Sequence, residues 1–219
     1  MIIAIDGPAG AGKSTVARIL ARNLRFIYID TGAMYRALTL KLLEEKVDLE
    51  DVAAIIRIAR DTCIELVNSP EGELKVYLDG KDVSAEIREP RITKFVSDIA
   101  RIKEVREVML KLQRRLGSSI NSVLDGRDIG TVVFPQAEHK FYVDADFKER
   151  VRRRFKELRE RQEPVTFEEV EQDLRRRDRI DSTREFAPLR KAEDAVYIDT
   201  TKLNIQEVVD KIFAAVNPL

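Results

Sequence analysis

The chain opens on an apolar run, Ile2-Ile3-Ala4-Ile5, with the length and evenness of a strand covered on both faces. From Ser14 to Leu24 the period becomes helical, with Val16, Ala17, Leu20 and Leu24 on one face. Phe26-Ile27-Tyr28-Ile29 is a second buried strand by the same reading. A helix is predicted from about Ala33 to Glu45 and another helical stretch from Leu49 to Asp61. The pattern then shifts to period two in Cys63–Val67 and Leu74–Leu78, separated by Asn68-Ser69-Pro70-Glu71-Gly72 and followed by Asp79-Gly80, which predicts a small antiparallel sheet. Helical spacing returns over Thr93–Ala100 and Lys103–Leu116. Ser122-Val123-Leu124 and Lys140–Val143 read as strands, Phe147–Gln162 and Thr166–Asp178 as helices, Ala195–Ile198 as a last strand and Ile205–Val216 as a last helix. Strands alternating with helices predict an α/β fold with a central parallel sheet between helical layers. Ligands of such sheets bind beyond the carboxyl ends of the strands. Three predicted strands end in polar clusters, the first at Gly7, the second at Asp30-Thr31-Gly32 and a third at Asp125-Gly126-Arg127-Asp128, so the three should face one crevice.

Composition narrows the classes. The 44% hydrophobic fraction supports a real core in 219 residues, enough for one large domain or a core with inserted lobes. Formal net charge is zero, so no global field argues for nucleic acid as a partner. No apolar run approaches the roughly 18 residues of a membrane helix, and the N-terminus reads as a strand, so a cytosolic protein without a membrane partner is expected. A single cysteine, Cys63, excludes an intramolecular disulfide framework and is expected to be a small buried hydrophobe. No large apolar stripe is left over, which favours a monomer. The charged fraction of 36%, rich in Arg, Lys and Glu, leans toward a heat-adapted source.

The chemistry begins at Gly7-Pro8-Ala9-Gly10-Ala11-Gly12-Lys13-Ser14-Thr15, which fits the phosphate-binding P-loop in the strand-to-helix setting it requires. Its backbone N–H groups and the helix N-terminus cradle phosphates, Lys13 reaches the β- and γ-phosphates, and the Ser14 hydroxyl can hold Mg²⁺. The rival dinucleotide fingerprint fails, because Thr15 stands where it wants glycine. A P-loop alone specifies a nucleotide and not a reaction. Absence of a later Asn-Lys-x-Asp motif weakens a GTPase, and Asp30 can be either a general base toward an alcohol or a helix cap. A P-loop switch would need partner-facing loops, whereas this chain concentrates arginines on two helices joined by Gln162-Glu163-Pro164-Val165: Arg150, Arg152, Arg153, Arg154, Arg159 and Arg161, then Arg175, Arg176, Arg177, Arg179 and Arg184. Interleaved glutamates make most of these a solvated charged face, with two or three left to reach phosphate from a closing lid. Asp125 either supports Mg²⁺ through water or orders its loop. His139 is read as structural or exposed.

Taken together, Ile5–Ser14, Asp30-Thr31-Gly32-Ala33-Met34-Tyr35-Arg36, Asp125–Pro135, Arg177–Arg184 and Ala187-Pro188-Leu189 resemble the bacterial cytidylate kinase family from end to end. Among nucleoside monophosphate (NMP) kinases, D-G-R-D-x-G-T-V-V-F-P is specific to that family. The resemblance implies phosphoryl transfer from ATP to CMP or dCMP with Mg²⁺, against the alternative of another nucleoside monophosphate or a small alcohol as acceptor. It implies a core (about 1–61, 90–147 and 190–219), an NMP-binding insert (about 62–89) and an arginine-rich lid (about 148–189). Thr31, Tyr35 and Arg36 should flank CMP, with Arg36 and Arg106 on its phosphate. Ser97 and Asp128 should read cytosine. Arg127 should contact phosphate near the transfer point, Arg177 and Asp181 sugar and phosphate, and Arg184 phosphate from the lid side.

Overall fold

The computed structural model of the protein describes residues 1–69 and 73–217, so most of the predicted turn at Pro70-Glu71-Gly72 lies outside the described residues. Five strands form one parallel sheet: β1 (Ile2–Asp6), β2 (Ile27–Asp30), β6 (Ser122–Gly126), β7 (His139–Asp144) and β8 (Val196–Asp199), in the order β2-β6-β1-β7-β8. Between β2 and β6 the chain builds an antiparallel sheet of β3 (Ile64–Asn68), β4 (Leu74–Leu78) and β5 (Lys81–Asp82). The helices are α1 (Lys13–Leu24), α2 (Thr31–Glu44), α3 (Val52–Asp61), α4 (Pro90–Ala100), α5 (Lys103–Gly117), α6 (Phe147–Glu160), α7 (Phe167–Thr183) and α8 (Ile205–Val216). The parallel sheet and the separate antiparallel sheet are the predicted α/β architecture.

Strand alternation explains why the central runs are apolar throughout. Ile3 and Ile5 of β1, Val123 of β6, and Phe141 and Val143 of β7 share one core with Val16, Ala17 and Leu20 of α1 and Val209 and Ile212 of α8. Their neighbours Ala4, Ile29 and Leu124 form a second core, against which Leu110 and Leu116 of α5 pack. A sheet covered on both faces has no solvent side to favour polar residues. The antiparallel sheet does have one, and β3 and β4 alternate between buried and exposed positions.

The order of the large sheet places the ends of β2, β6 and β1 side by side, with Asp30 level with Asp125 and Asp6 level with Gly126. The three polar clusters therefore do share one crevice. A single side chain hooks the second sheet to the first: Asn68 at the end of β3 accepts from the Tyr28 N–H at 3.1 Å and donates to its carbonyl at 3.0 Å.

Several expectations are corrected. Cys63 is exposed rather than buried, because it precedes β3 instead of belonging to it. Helix α7 runs five residues beyond its predicted end, with Arg184 closing it through an N–H to the Ile180 carbonyl. The apolar run Ile129–Val133 forms a π-helical turn that periodicity did not reveal.

Candidate functional site

The P-loop threads beneath β7. Gly7 has φ 147°, and a Cβ there would lie 2.0 Å from the Val143 carbonyl oxygen, so only glycine fits. Lys13 opens α1 and folds back, its Nζ donating to the Pro8 carbonyl at 2.6 Å. Burial, helped by the nearby Arg127 guanidinium, lowers the Lys13 pKa to about 7. A bound polyphosphate would restore the ammonium. Binding of metal-free ATP should therefore be accompanied by net proton uptake at pH 8, above the lowered pKa of Lys13. Calorimetry in two buffers of different ionisation enthalpy measures this uptake; equal heats in both would contradict it.

Asp125 is the hub between the P-loop and β2. Its Oδ2 accepts from the Ser14 hydroxyl at 2.6 Å, its Oδ1 from the Tyr28 hydroxyl at 2.8 Å, and its carbonyl from the Thr31 hydroxyl at 2.7 Å. Burial, followed by the neighbouring Asp30 carboxylate, pushes the Asp125 pKa up to about 6. Burial likewise raises that of Tyr28, with Asp125 adding to it. Asp30 caps α2 by accepting from Ala33 N–H at 2.8 Å and pairs with Arg36 at 2.8 Å. Both oxygens of Asp30 are thus engaged, which fits the cap reading.

Beyond β6 the site becomes a chain of buried ion pairs. Arg106 of α5 pairs with Asp128 at 2.6 Å, and its guanidinium lies over the Tyr35 ring at 5.5 Å. Arg184 approaches Asp128 at 3.5 Å and Asp181 at 3.7 Å, and Asp181 in turn holds Arg127 at 2.8 Å. Burial pushes the Arg177 pKa down to about 10, and it also lowers that of Arg184, with Arg106 adding to it. Nε of Arg36, Arg106 and Arg177 and Nη2 of Arg184 are buried without a hydrogen-bond partner among the described residues. Buried donors of this kind are expensive unless an acceptor completes them. Ser97 lies buried on α4 beside Asp98.

The arginine-rich helices divide as expected for most of their length. Arg152 and Arg153 pair with Glu149, Arg154 and Arg161 with Glu157, and Arg175 with Glu171. Arg150 departs from the solvated-face reading. It is buried beneath the P-loop, donating to the Ala9 carbonyl at 3.0 Å and to Asp178 at 2.6 Å. Arg176 also reaches away from its own helix, to Asp98 of α4 at 2.8 Å and to the Lys94 carbonyl. Sequence reasoning overlooked Asp6, Tyr28, Asp98 and Asp178 as supports of the site. Asp6 carried the one available signal, a carboxylate ending an apolar strand.

Across residues 3–218 the chain matches the family described as cytidylate kinase. A cytidylate kinase of Caldanaerobacter subterraneus subsp. tengcongensis is 52% identical, over 98% of this chain and 93% of its own. One from Bacillus licheniformis is 50% identical over 99% and 96%, and one from Clostridioides difficile 48% over 99% and 98%. Among solved structures, an uncharacterized protein from Eubacterium ventriosum aligns with 100% of this chain and 99% of its own at a TM-score of 0.54 and 14% identity, a likeness of fold alone.

Proposed function

The chain belongs to the cytidylate kinase family, and from that premise we propose that it transfers the γ-phosphoryl group of ATP to a phosphate oxygen of CMP or dCMP, giving ADP and CDP or dCDP. The observation that carries this reading is the set of buried guanidinium N–H groups without hydrogen-bond partners among the described residues, in a chain that also carries a P-loop. Four donors on Arg36, Arg106, Arg177 and Arg184 suit a second small anion beside the nucleotide.

In the transfer, a CMP phosphate oxygen attacks the γ-phosphorus as the bond to the β-bridging oxygen breaks. A phosphate monoester has a second pKa of about 6, so the acceptor is largely dianionic at neutral pH and needs no general base. Positioning and charge neutralisation suffice. Lys13 and the P-loop amides hold the donor. Arg36 and Arg106 hold the acceptor phosphate beside Thr31 and Tyr35. Arg127, Arg177 and Arg184 surround the transferred group, with Asp181 orienting Arg127 and Arg184. Asp128 and Ser97 face the base: cytosine offers an amino donor where uracil offers a carbonyl, so a carboxylate accepts from one and repels the other.

The Ser14 hydroxyl and the Asp125 carboxylate, 2.6 Å apart, are hard oxygen donors that fit Mg²⁺. No cluster of three or more His, Cys, Asp or Glu groups able to hold a metal occurs among the described residues. When bound, Mg²⁺ would neutralise charge on the β- and γ-phosphates.

We further read β3–β5 and its surroundings (about 62–89) as the acceptor insert, α6 and α7 (about 148–189) as a lid that excludes water, and the remainder as the core. The lid pair has its own apolar centre, Val151, Leu158, Val170 and Leu174, which also takes in Ala9 of the P-loop. Closure over the site would bring its arginines to the donor phosphates. The zero net charge fits small-molecule substrates rather than nucleic acid, and we take the working form as a monomer. No described helix is long and apolar enough to cross a membrane.

Measuring ADP formation from Mg-ATP with CMP, dCMP, UMP, AMP, GMP or no acceptor tests this reading. Strong turnover with CMP and dCMP, weak turnover with UMP and none with purines or without acceptor is the expected pattern. Turnover with none of them by folded, ATP-binding protein would overturn the acceptor assignment.

A further inference from the structure

The turn that carries Asp128 is capped by a residue from another strand. Asp128 occupies the N-cap position of the π-helical turn Ile129–Val133, and its carbonyl accepts from the Val132 and Val133 N–H groups at 2.9 and 3.1 Å. A carboxylate at that position normally folds back onto the first free amides of its own helix. Here it makes no such bond. The Ile129 and Gly130 N–H groups are instead taken by the Asp6 carboxylate, at 2.8 and 2.7 Å, from the last residue of β1. Asp6 is 4% exposed, so water does not compete for those bonds. The approach is close: a Cβ on Gly130 would lie 3.4 Å from Asp6 Oδ2 and 3.1 Å from the Lys140 side chain.

We propose that Asp6 is a positioning residue for base selection: by capping the turn in place of Asp128, it releases the Asp128 carboxylate to face Arg106, Arg184 and the acceptor base. Without that cap, the Asp128 carboxylate, as the N-cap residue of the turn, is positioned in sequence to take the two amides, which would turn it away from Arg106 and Arg184. Asp6 also immediately precedes Gly7, so one residue ties the start of the phosphate loop to the acceptor-reading turn. The inference rests on the reading of Asp128 as a base contact.

Asp6→Asn is the test. An amide oxygen can accept one N–H, but its NH₂ group then opposes the second, so the cap is half lost with little change of volume. The ratio of kcat/KM for CMP over UMP should fall about tenfold or more and the CMP KM should rise by a similar factor, as small misplacements of a contact group do. The ATP KM should stay within about threefold. A CMP over UMP ratio equal to that of the unsubstituted protein, or ATP and CMP KM values rising in step, would overturn the proposal. An unsubstituted protein that does not prefer CMP would instead overturn the reading of Asp128. Amide exchange of the unsubstituted protein without CMP gives a second test that does not depend on the variant folding. Ile129 and Gly130 should be protected like core amides, and exchange at the rate of exposed loops would refute the cap.

Discussion

Lys13→Ala is expected to lower kcat with CMP by about 10³-fold and to leave thermal stability unchanged or raised. Both halves follow from the same geometry. Removing one preorganised charge aimed at the transferring oxygens costs about 10²–10³ in rate, and Lys13 supplies a full charge where an oxyanion-hole donor supplies part of one. In the absence of nucleotide the same ammonium is buried, near Arg127, and its pKa is pulled down to about 7. The folded protein therefore pays, in electrostatic terms, for an ammonium that the Pro8 carbonyl and the nearby carboxylates only partly compensate. Deleting it removes that burden, as substitutions at strained functional sites commonly do. Thermal unfolding alongside initial ADP formation reads both. A variant that keeps activity within tenfold would refute the role of Lys13 at the γ-phosphate, and a marked fall in Tm would show the lysine to be structural.

Asp128 carries the second large effect, and here stability and selectivity move together. Asp128→Ala leaves Arg106 and Arg184, 4% and 3% exposed in their side chains, without the carboxylate that lies 2.6 and 3.5 Å away. Breaking a buried pair by removing one partner costs about 3–5 kcal/mol. At about 2–4 °C per kcal/mol for a chain of this size, Tm should drop by about 6–20 °C. Asp128→Asn separates the two roles. Its oxygen can still accept from Arg106, so the fold should survive, while its amide can donate to uracil. The loss of discrimination should be about 1–3 kcal/mol, or roughly 5- to 150-fold in CMP over UMP. ATP affinity should change far less. Equal losses for both nucleotides would sink the base-reading role.

How much of this could be read in the amino-acid order depended on the range of each interaction. Strands β1, β2, β6 and β7 were visible because burial on both faces makes them unbroken apolar runs, and each of the first three ends in a polar cluster that marks the crevice. Boundaries moved by a few residues where a cap decides them, as at α7, since a helix end depends on local hydrogen bonds rather than on period. The P-loop was legible because its chemistry is contained in nine consecutive residues. The supports of the site were not. Asp6 acts on amides 123 and 124 residues away, Arg150 on a carbonyl 141 away, and Arg176 on a carboxylate 78 away. Arg150 lies in the same arginine-rich stretch as Arg152 and Arg153, and the packing of α6 under the loop distinguishes it. Cys63 was misjudged because its residue type predicts burial while its place just before β3 decides exposure.

The Asn68 amide has a consequence for the protein in a crowded solution. β2 is an outer strand of the parallel sheet, and an outer strand offers unpaired N–H and C=O groups on which another chain can template itself. Asn68 occupies both backbone groups of Tyr28 as a neighbouring strand would, but with a side chain, which cannot propagate the ladder further. It works as a strand terminator built into the fold. Among the described residues the opposite edge has no such plug: β8 leaves Val196 and Tyr197 51% and 54% exposed. Self-association through strand addition, if forced by heat or concentration, should therefore begin at β8 and not at β2.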